Sequence, residues 1–296
     1  MASLEAEIQN SNPRQKPEPD APGALIQNDS ARGEAGGMRR VFQQLARGLA
    51  LILGQAIQSI LATAVTSVVG VAIAGWVPIT WTPLMGLRSF ESLVAGQSPW
   101  ARQVWRDDLS KQQYLVRALL AAEDEKFFEH HGFDFEAIAQ AWEYNQSQRQ
   151  AKRFKSSGRG ESRRGIRGGS TITQQTAKNV FLWPQRSWVR KAIEAWLTVW
   201  IEVLWPKSRI LDVYLNVVEF GPNVYGAEAA SRIFFGKSAA RLSRAEAARL
   251  VAVLPNPRRL RVDRPSSYVL RRQYAILRRM SRLDVSAHLS THNVSK

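Results

Sequence analysis

The most prominent hydrophobic segment of the chain runs from Leu49 to Val77, where 29 residues follow one another without a charge. A helix of about 20 apolar residues is long enough to cross a bilayer. The segment therefore predicts one transmembrane helix, which we place at residues 45–77. Its glutamines leave open a buried core helix as an alternative. A cleaved signal peptide fits less well, because 48 residues precede the segment and its apolar part is long.

After residue 82 the chain reads mostly as helix, and alternating strand patterns are scarce. Serines with N-cap or capping-box patterns are predicted to begin four helices, at Ser110, Ser187, Ser208 and Ser243. The first of these helices should extend to about Phe128. A basic amphipathic helix is predicted from Tyr268 to about Arg282. The pattern predicts a mainly α-helical domain over residues 82–284.

The two ends of the chain have a different composition. Residues 1–44 are rich in proline, glycine and charge, and we predict a disordered cytoplasmic tail there. Residues 285–296 are predicted to form a C-terminal tail. Arginines precede the apolar segment, whereas Trp76 and Trp81 lie at its far end. Positive-inside and aromatic-belt rules then place the N-terminus in the cytoplasm and the helical domain on the other side of the membrane.

Charge and cysteine content narrow the possible partners. The chain has no cysteine, which excludes disulfides and cysteine-ligated metals. Its net charge is +16, and the whole excess lies beyond Pro78, which favours an anionic partner. Residues 146–167 carry eight basic residues and one acid, and their glycines and serines predict a mobile loop. The loop is either a solvated insertion or a contact for anionic lipid or substrate; a nucleic-acid arm is a weaker alternative, since aromatic stacking residues are missing from it.

A first candidate for chemistry is Glu123, which follows the apolar stretch Tyr114–Ala122. It shares a helix face with Leu119 and Leu120, four and three residues earlier. A carboxylate on an apolar face loses hydration, so its pKa should rise toward the range of a general base or acid. The alternative is an ordinary acid at a helix end, paired with a nearby arginine.

Two further segments combine cations with hydrogen-bonding side chains. In GGSTITQQTAKN, hydroxyls and amides crowd a helix start and Lys178 follows, an arrangement that suits phosphate. A capped amphipathic helix is the alternative. Glu194 follows Arg190 by four residues and Lys191 by three, in apolar surroundings. These three residues form either an ordinary helical ion pair or a net positive spot for an anion. The histidines show no metal-ligand spacing.

Five segments carry a resemblance to a known family: EDEKFFEHHGFD, GGSTITQQTAKN, RKAIE, KSRILDVYLN and YGAEAASRIFFGK. In this order they resemble the motifs of the peptidoglycan glycosyltransferases, glycosyltransferase family 51, and most closely its monofunctional, membrane-anchored members. The likeness extends from about Trp100 to Leu283. It implies a lysozyme-like, mainly helical fold that polymerises lipid II into β-1,4 glycan. Neither S-x-x-K nor K-T-G occurs, so we expect no transpeptidase activity.

The resemblance also assigns roles to individual residues. It implies that Glu123 is the catalytic base and that Glu194 is a second essential acid. It implies substrate binding by nine further residues: Asp124, Phe127, His130, Thr171, Gln175, Lys178, Asn179, Arg190 and Lys191. Asp212 departs from the family, where glutamate is common. No metal site is implied by the sequence, although Mg²⁺ could accompany the pyrophosphate of the substrate.

Three other functions are weighed against this interpretation. A hydrolase or lytic transglycosylase of similar fold would give the cations no pyrophosphate to bind. A scaffold that only binds lipid II would not need both carboxylates. A nucleic-acid binder has no target on the outer side of the membrane. We expect the partners to be lipid II, the growing glycan strand, membrane lipids and proteins of cell division or cell-wall synthesis, at the cytoplasmic (inner) membrane.

Overall fold

The computed structural model describes residues 26–154, 168–185 and 187–283, with side chains from residue 42 onward except at 149 and 151–154. It divides into two units, residues 1–63 and 64–296. The first unit consists, in its described part, of the beginning of helix α1 (Ile26–Ala74). Within this helix, Phe42–Ala74 is long and apolar enough to span a membrane, and its most apolar 18-residue window is almost entirely uncovered by other residues. That exposure argues against the alternative of a buried core helix.

The prediction of a disordered tail over residues 1–44 is wrong for residues 26–44, which belong to helix α1. The composition of residues 1–44 shows a shortage of core-forming residues, but it is a poor guide to local helix propensity. No proline follows Pro22 before Pro78, and alanine, arginine, glutamate and glutamine are good helix formers. Residues 1–25 and the predicted tail 285–296 lie outside the described residues.

The second unit is mainly helical in its described part. Its further α-helices are α2 (Pro83–Val94), α3 (Gln113–Glu123), α4 (Phe135–Phe154), α5 (Ile172–Phe181), α6 (Trp188–Leu204), α7 (Lys207–Val217), α8 (Ala227–Phe235), α9 (Arg244–Ala252) and α10 (Ser267–Met280). Short 3₁₀ turns occupy Leu109–Lys111 and Ala239–Arg241. Because α4 continues to Phe154, residues 146–154 of the predicted loop are helical. Residues 155–167 of that loop lie outside the described residues.

Two groups of packed helices form the core. Helix α3 packs against α9 and α10, while α5 packs against α6 and α7. Leu119, Ile172, Ile201 and Tyr214 are among the side chains that these helices bury completely or nearly so. The core therefore joins the end of α3 to α5, α7 and α10, which carry most of the site described below.

A small sheet was not predicted, because its strands are only two or three residues long. Strands β1 (Arg102–Gln103) and β3 (Val224–Tyr225) are parallel, and β2 (Glu219–Gly221) pairs antiparallel with β3. Arg102 lies opposite Val224, and Glu219 lies opposite Tyr225. The turn between β2 and β3 uses Asn223 at a φ of 57°, a left-handed conformation that asparagine tolerates.

Two of the four predicted helix starts are confirmed. Ser187 caps α6, and Ser243 forms a capping box with Glu246 at the start of α9. The prediction for Ser110 is wrong, since α3 begins at Gln113 after Gln112. The backbone N–H and the hydroxyl of Ser110 donate instead to Asp212, at 2.6 and 3.0 Å. A tertiary partner has therefore taken the place of the local cap.

The two remaining helix predictions differ from the structure by small amounts. Helix α7 begins at Lys207, one residue before the predicted Ser208. Helix α3 ends at Glu123 rather than at about Phe128. The chain leaves the helical conformation at Asp124, where φ is −163° and ψ is 82°. The Asp124 carboxylate accepts from the backbone N–H of Ile172 at 2.9 Å, so a contact with the start of α5 accompanies the end of α3.

Candidate active site

Glu123 is the last residue of α3, and both of its carboxylate oxygens carry hydrogen bonds. Arg272 of α10 donates from Nη2 to Oε1 at 2.9 Å. Gln175 of α5 donates from Nε2 to Oε2 at 3.1 Å. The side chain of Glu123 is 16% exposed. Each oxygen has a second lone pair, so the carboxylate can still accept a proton from another molecule.

Both interpretations of Glu123 that were made from the sequence, a poorly hydrated acid and an acid paired with an arginine, apply to this carboxyl group. Burial raises its pKa, while Arg272, Gln175 and Lys178 lower it in part. The acid is therefore poorly solvated and also paired with an arginine. That arginine comes from a helix almost 150 residues away rather than from a neighbouring turn. Removal from water has the larger effect, which brings the carboxyl closer to the range of a general base at neutral pH.

Lys178 of α5 lies within electrostatic range of both predicted carboxylates. Burial lowers the pKa of its ammonium group, and Glu194 and then Glu123 oppose that change. Arg190 and Lys191 lower the pKa further by repulsion. The cations thus form one coupled group next to Glu194. An anion placed among them would relieve this repulsion.

Glu194 of α6 is buried and holds two of these cations by short helical spacings. Arg190 donates from Nη1 to Oε2 at 2.7 Å, and Lys191 donates from Nζ to Oε1. The predicted helical ion pair is therefore present. Arg190 is itself buried, and its Nε has no hydrogen-bond partner within the described part of the chain. Two positive charges share one carboxylate, so the cluster keeps a net positive charge.

The loop that follows Glu123 is held by contacts within the protein. His130 Nδ1 accepts from the backbone N–H of Gly132 at 3.1 Å, so Nε2 is the nitrogen that donates to Asp124, at 3.0 Å. Phe127 is completely buried, and the Lys207 ammonium lies 4.5 Å from its ring centroid. Asp124, Phe127 and His130 therefore form the frame of the loop beside Glu123.

The start of α5 is fixed to the same loop. Thr171 forms a capping box with Gln174, and its hydroxyl donates to the carbonyl of Gly132 at 2.7 Å. At Gly169 an added Cβ would lie 2.9 Å from Cα of Ile138, so a side chain there would collide with α4. Asn179 is buried on α5 next to Lys178. The glycine and the cap together bring α5 close to the end of α3.

Three contributors to this region were missed from the sequence. Arg272 pairs with Glu123, and the hydroxyl of Tyr214 donates to Gln175 Oε1 at 3.1 Å. Glu202 accepts from Thr173 at 2.5 Å and from Lys207 at 3.0 Å. Tyr214 lies in the quoted motif KSRILDVYLN, and Arg272 lies in the predicted basic helix. Membership of these two segments was the only sequence signal for Tyr214 and Arg272, because no local spacing relates either of them to Glu123.

Comparison with known proteins now decides the family. The transglycosylase family model matches residues 92–281, which include all the residues of the site described above. The chain belongs to the transglycosylase family. It is 47% identical over 225 residues to a biosynthetic peptidoglycan transglycosylase of Bdellovibrio bacteriovorus, covering 76% of this chain and 84% of that protein. Proteins of the same name from Caulobacter vibrioides and Shewanella oneidensis are 46% and 43% identical, covering 79% and 83% of this chain and 91% and 94% of their own.

The activity of this transglycosylase is glycosyl transfer in peptidoglycan biosynthesis. The Asp212 carboxylate accepts hydrogen bonds from Ser110 at both of its oxygens. Burial raises the pKa of Asp212 to about 6. Asp212 of α7 thus holds the 3₁₀ turn Leu109–Lys111 that precedes α3.

Proposed function

We propose that this transglycosylase polymerises lipid II into β-1,4 glycan chains and releases undecaprenyl pyrophosphate with inversion at the anomeric carbon. The observation that carries the proposal is the pairing of two features at one site. A buried carboxyl with a raised pKa, Glu123, lies within electrostatic range of Lys178. Lys178 in turn belongs to the cation group around Glu194. A base for a hydroxyl and a binding site for pyrophosphate are the two things this reaction needs.

Glu123 acts as the general base. A sugar hydroxyl is a weak nucleophile until its proton is removed, and a poorly solvated carboxylate is suited to remove it. The 4-hydroxyl oxygen of the acceptor forms a bond to the anomeric carbon of the donor, and its proton passes to Glu123. The bond between that carbon and the pyrophosphate oxygen breaks at the same time. Retention of the Arg272 and Gln175 bonds keeps the carboxylate in place during the step.

Lys178, Arg190 and Lys191 bind the pyrophosphate and stabilise the negative charge that develops on it as it leaves. Prearranged cations in a site with little water are an efficient way to stabilise such charge. Glu194 orients these cations through its two ion pairs and does not attack the substrate. A direct contact of Glu194 with pyrophosphate would be repulsive. For an inverting reaction we expect a wide Glu123–Glu194 separation, since inverting glycosidases hold their carboxyls about 6.5–9.5 Å apart.

The remaining predicted site residues shape the site around these groups. Asp124, Phe127 and His130 hold the loop beside the base, and Thr171 fixes the start of α5 against it. Gln175 and Asn179 lie on α5 with Lys178, where their amides can bind sugar or phosphate oxygens. We therefore assign substrate contacts chiefly to α5 and α6, with the loop as their support.

The residues that the structure describes do not form a protein cage for Mg²⁺. Among the described residues there is no group of three or more histidine, aspartate or glutamate side chains suited to a metal. The carboxylates of Glu123 and Glu194 already carry donors. Magnesium in such enzymes is often held by substrate phosphates and water.

We further propose that Phe42–Ala74 anchors the enzyme in the cytoplasmic membrane, with the N-terminus in the cytoplasm and the catalytic domain on the outer, periplasmic side. A tethered enzyme meets a lipid-linked substrate in two dimensions. The basic charge of the domain suits anionic headgroups. Membrane lipids and cell-wall synthesis proteins are the partners we propose, and nucleic acid is not one of them.

The deciding experiment compares polymerisation of labelled lipid II by wild type, Glu123→Gln and Glu125→Gln in detergent. Glu125 is two residues away and its side chain is 52% exposed, so it is a matched control. We expect long glycan from wild type and from the control, and none from Glu123→Gln. Equal product from all three proteins would remove Glu123 as the base. Lipid II binding without any product would favour the scaffold.

Three further assays test the alternatives. Release of soluble sugars from purified cell-wall polymer would favour the hydrolase or lytic transglycosylase. Cross-linked product from lipid II alone would contradict our expectation that the chain has no transpeptidase activity. Tight, salt-sensitive DNA binding in the presence of anionic lipid would support the nucleic-acid binder instead.

A further inference from the structure

Tyr214 is connected to the proposed base, Glu123, through hydrogen bonds to the side-chain amide of Gln175. The hydroxyl of Tyr214, on α7, donates to Gln175 Oε1 at 3.1 Å. The Nε2 of the same amide donates to Glu123 Oε2 at 3.1 Å. Tyr214 is completely buried where α5 packs against α7. Nothing in its position allows it to touch a substrate directly.

We propose that Tyr214 is a positioning residue that sets the orientation of the Gln175 amide, so that Glu123 faces its N–H group rather than its oxygen. This inference rests on the proposed function, because it assumes that Glu123 is the base.

The side-chain amide of Gln175 can be placed in two ways. In the observed orientation, the tyrosine proton meets an oxygen and the amide proton meets the carboxylate, so each donor has an acceptor. In the flipped orientation, Oε1 would face Glu123 Oε2, and two acceptors would meet unless the carboxyl were protonated. The buried tyrosine proton would also lose its acceptor. A buried donor left without an acceptor is costly, so the hydroxyl selects the orientation.

Tyr214 is suited to this role because it keeps its proton. Burial raises its pKa well above the usual value, and the negative charge of Glu123 raises it further. The hydroxyl is thus a permanent donor over the pH range in which Glu123 titrates. Without the hydroxyl, a flipped amide would stabilise the protonated form of Glu123 and withdraw the base.

The other groups around Glu123 come from three directions. Arg272 approaches from α10 on the opposite carboxylate oxygen, Lys178 approaches from α5 together with Gln175, and Asp124 follows in the chain. Arg272 and Lys178 favour the ionised form and remain in place when Tyr214 is changed. A shift seen after removal of the Tyr214 hydroxyl therefore reports the amide.

The test is the pH dependence of kcat/KM for lipid II polymerisation by the full chain with Tyr214→Phe. The base is active when deprotonated, so the acid limb of the profile follows the pKa of Glu123. Loss of one ordinary hydrogen bond from the ionised form corresponds to a shift of about 0.5–1 pH unit. We expect the limb of Tyr214→Phe to move to higher pH by this amount, with activity approaching wild type on its alkaline side.

Tyr225→Phe is the matched control. Tyr225 is equally buried, and its hydroxyl has no hydrogen-bond partner in the described part of the chain. The groups that affect its pKa are Glu219, Arg88, Arg258 and Glu91, none of which belongs to the site. Its acid limb should stay at the wild-type position. An equal shift in both variants would mean a general effect on packing and would overturn the proposal.

A variant on the other side of the hydrogen bond keeps the proposal testable if Tyr214→Phe does not fold. Gln175→Leu should also move the limb to higher pH, and adding Tyr214→Phe to it should produce no further shift. An unmoved limb in Gln175→Leu, or in a folded Tyr214→Phe, would overturn the role of Tyr214. Full activity of Glu123→Gln would instead overturn the proposed function, which keeps the two failures distinct.

Discussion

The ion pair between Arg272 and Glu123 offers a sharp test of how the site is tuned. Arg272 is the largest of the influences that lower the pKa of Glu123 against the effect of burial. Its Nη2 lies 2.9 Å from Glu123 Oε1, and the two side chains are 26% and 16% exposed. Arg272→Met keeps much of the apolar stem and removes the charge and the donor. The pKa of Glu123 should therefore rise further.

The magnitude follows from the type of bond. A hydrogen bond to a charged group contributes about 1.5–3 kcal/mol, and partial exposure at this site places it toward the lower end. A change of about 1.4 kcal/mol equals one pKa unit. We expect the acid limb of kcat/KM to move up by about one pH unit, so that activity on that limb falls about tenfold. The pKa of Lys178 is lowered by burial, so the alkaline limb should limit the recovery at high pH.

The assay is lipid II polymerisation measured as a function of pH, with two controls. Arg271→Met changes the exposed neighbour on the same helix and should leave the limb unmoved. Arg272→Lys restores a positive charge and should recover part of the shift. An acid limb of Arg272→Met at or below the wild-type pH would contradict this prediction, because Arg272 would then not favour the ionised form of the base.

Three further predictions concern stability. Asp212→Asn should raise the melting temperature more at pH 8 than at pH 5. The folded pKa of Asp212 is about 6 and the unfolded pKa is about 3.9, so the stability contributed by the protonated group is lost as the pH rises from about 4 to about 6, at a total cost of about 3 kcal/mol. About half of this loss separates pH 5 from pH 8, and the variant lacks it. An unchanged pH dependence of melting would contradict it. Glu194→Ala should lower the free energy of unfolding by about 3 kcal/mol, because buried Arg190 loses its partner; a denaturant titration measures this. Thr171→Ala and Ser243→Ala should each lower the free energy of unfolding by about 1 kcal/mol, because each removes the N-cap side chain of a capping box. Only Thr171→Ala should also reduce glycan synthesis, since only the Thr171 hydroxyl donates to the carbonyl of Gly132. Equal activity of the two variants would count against that link.

Much of the candidate site could be predicted because its members belong to short segments. Glu123 follows Leu119 and Leu120 on one helix face, so its loss of hydration is a local property of α3. The pairs of Glu194 with Arg190 and Lys191 are likewise local, at helical spacings of four and three residues. The partners from α7 and α10 could not be predicted in this way. Helical periodicity says which residues share a face, but it does not say which face of which helix will cover it.

Features that depend on close neighbours along the chain follow from the sequence alone. The apolar segment that contains Leu49–Val77 is helical over most of its length because of its own composition, and Ser187 and Ser243 cap helices with donors only a few residues away. The contacts of Arg272 with Glu123 and of Tyr214 with Gln175, in contrast, depend on the tertiary structure. It also replaced the local cap of Ser110 by Asp212. These contacts join residues 39 to 149 positions apart. They follow from the way whole helices pack against one another, and the sequence of a single segment does not specify that packing.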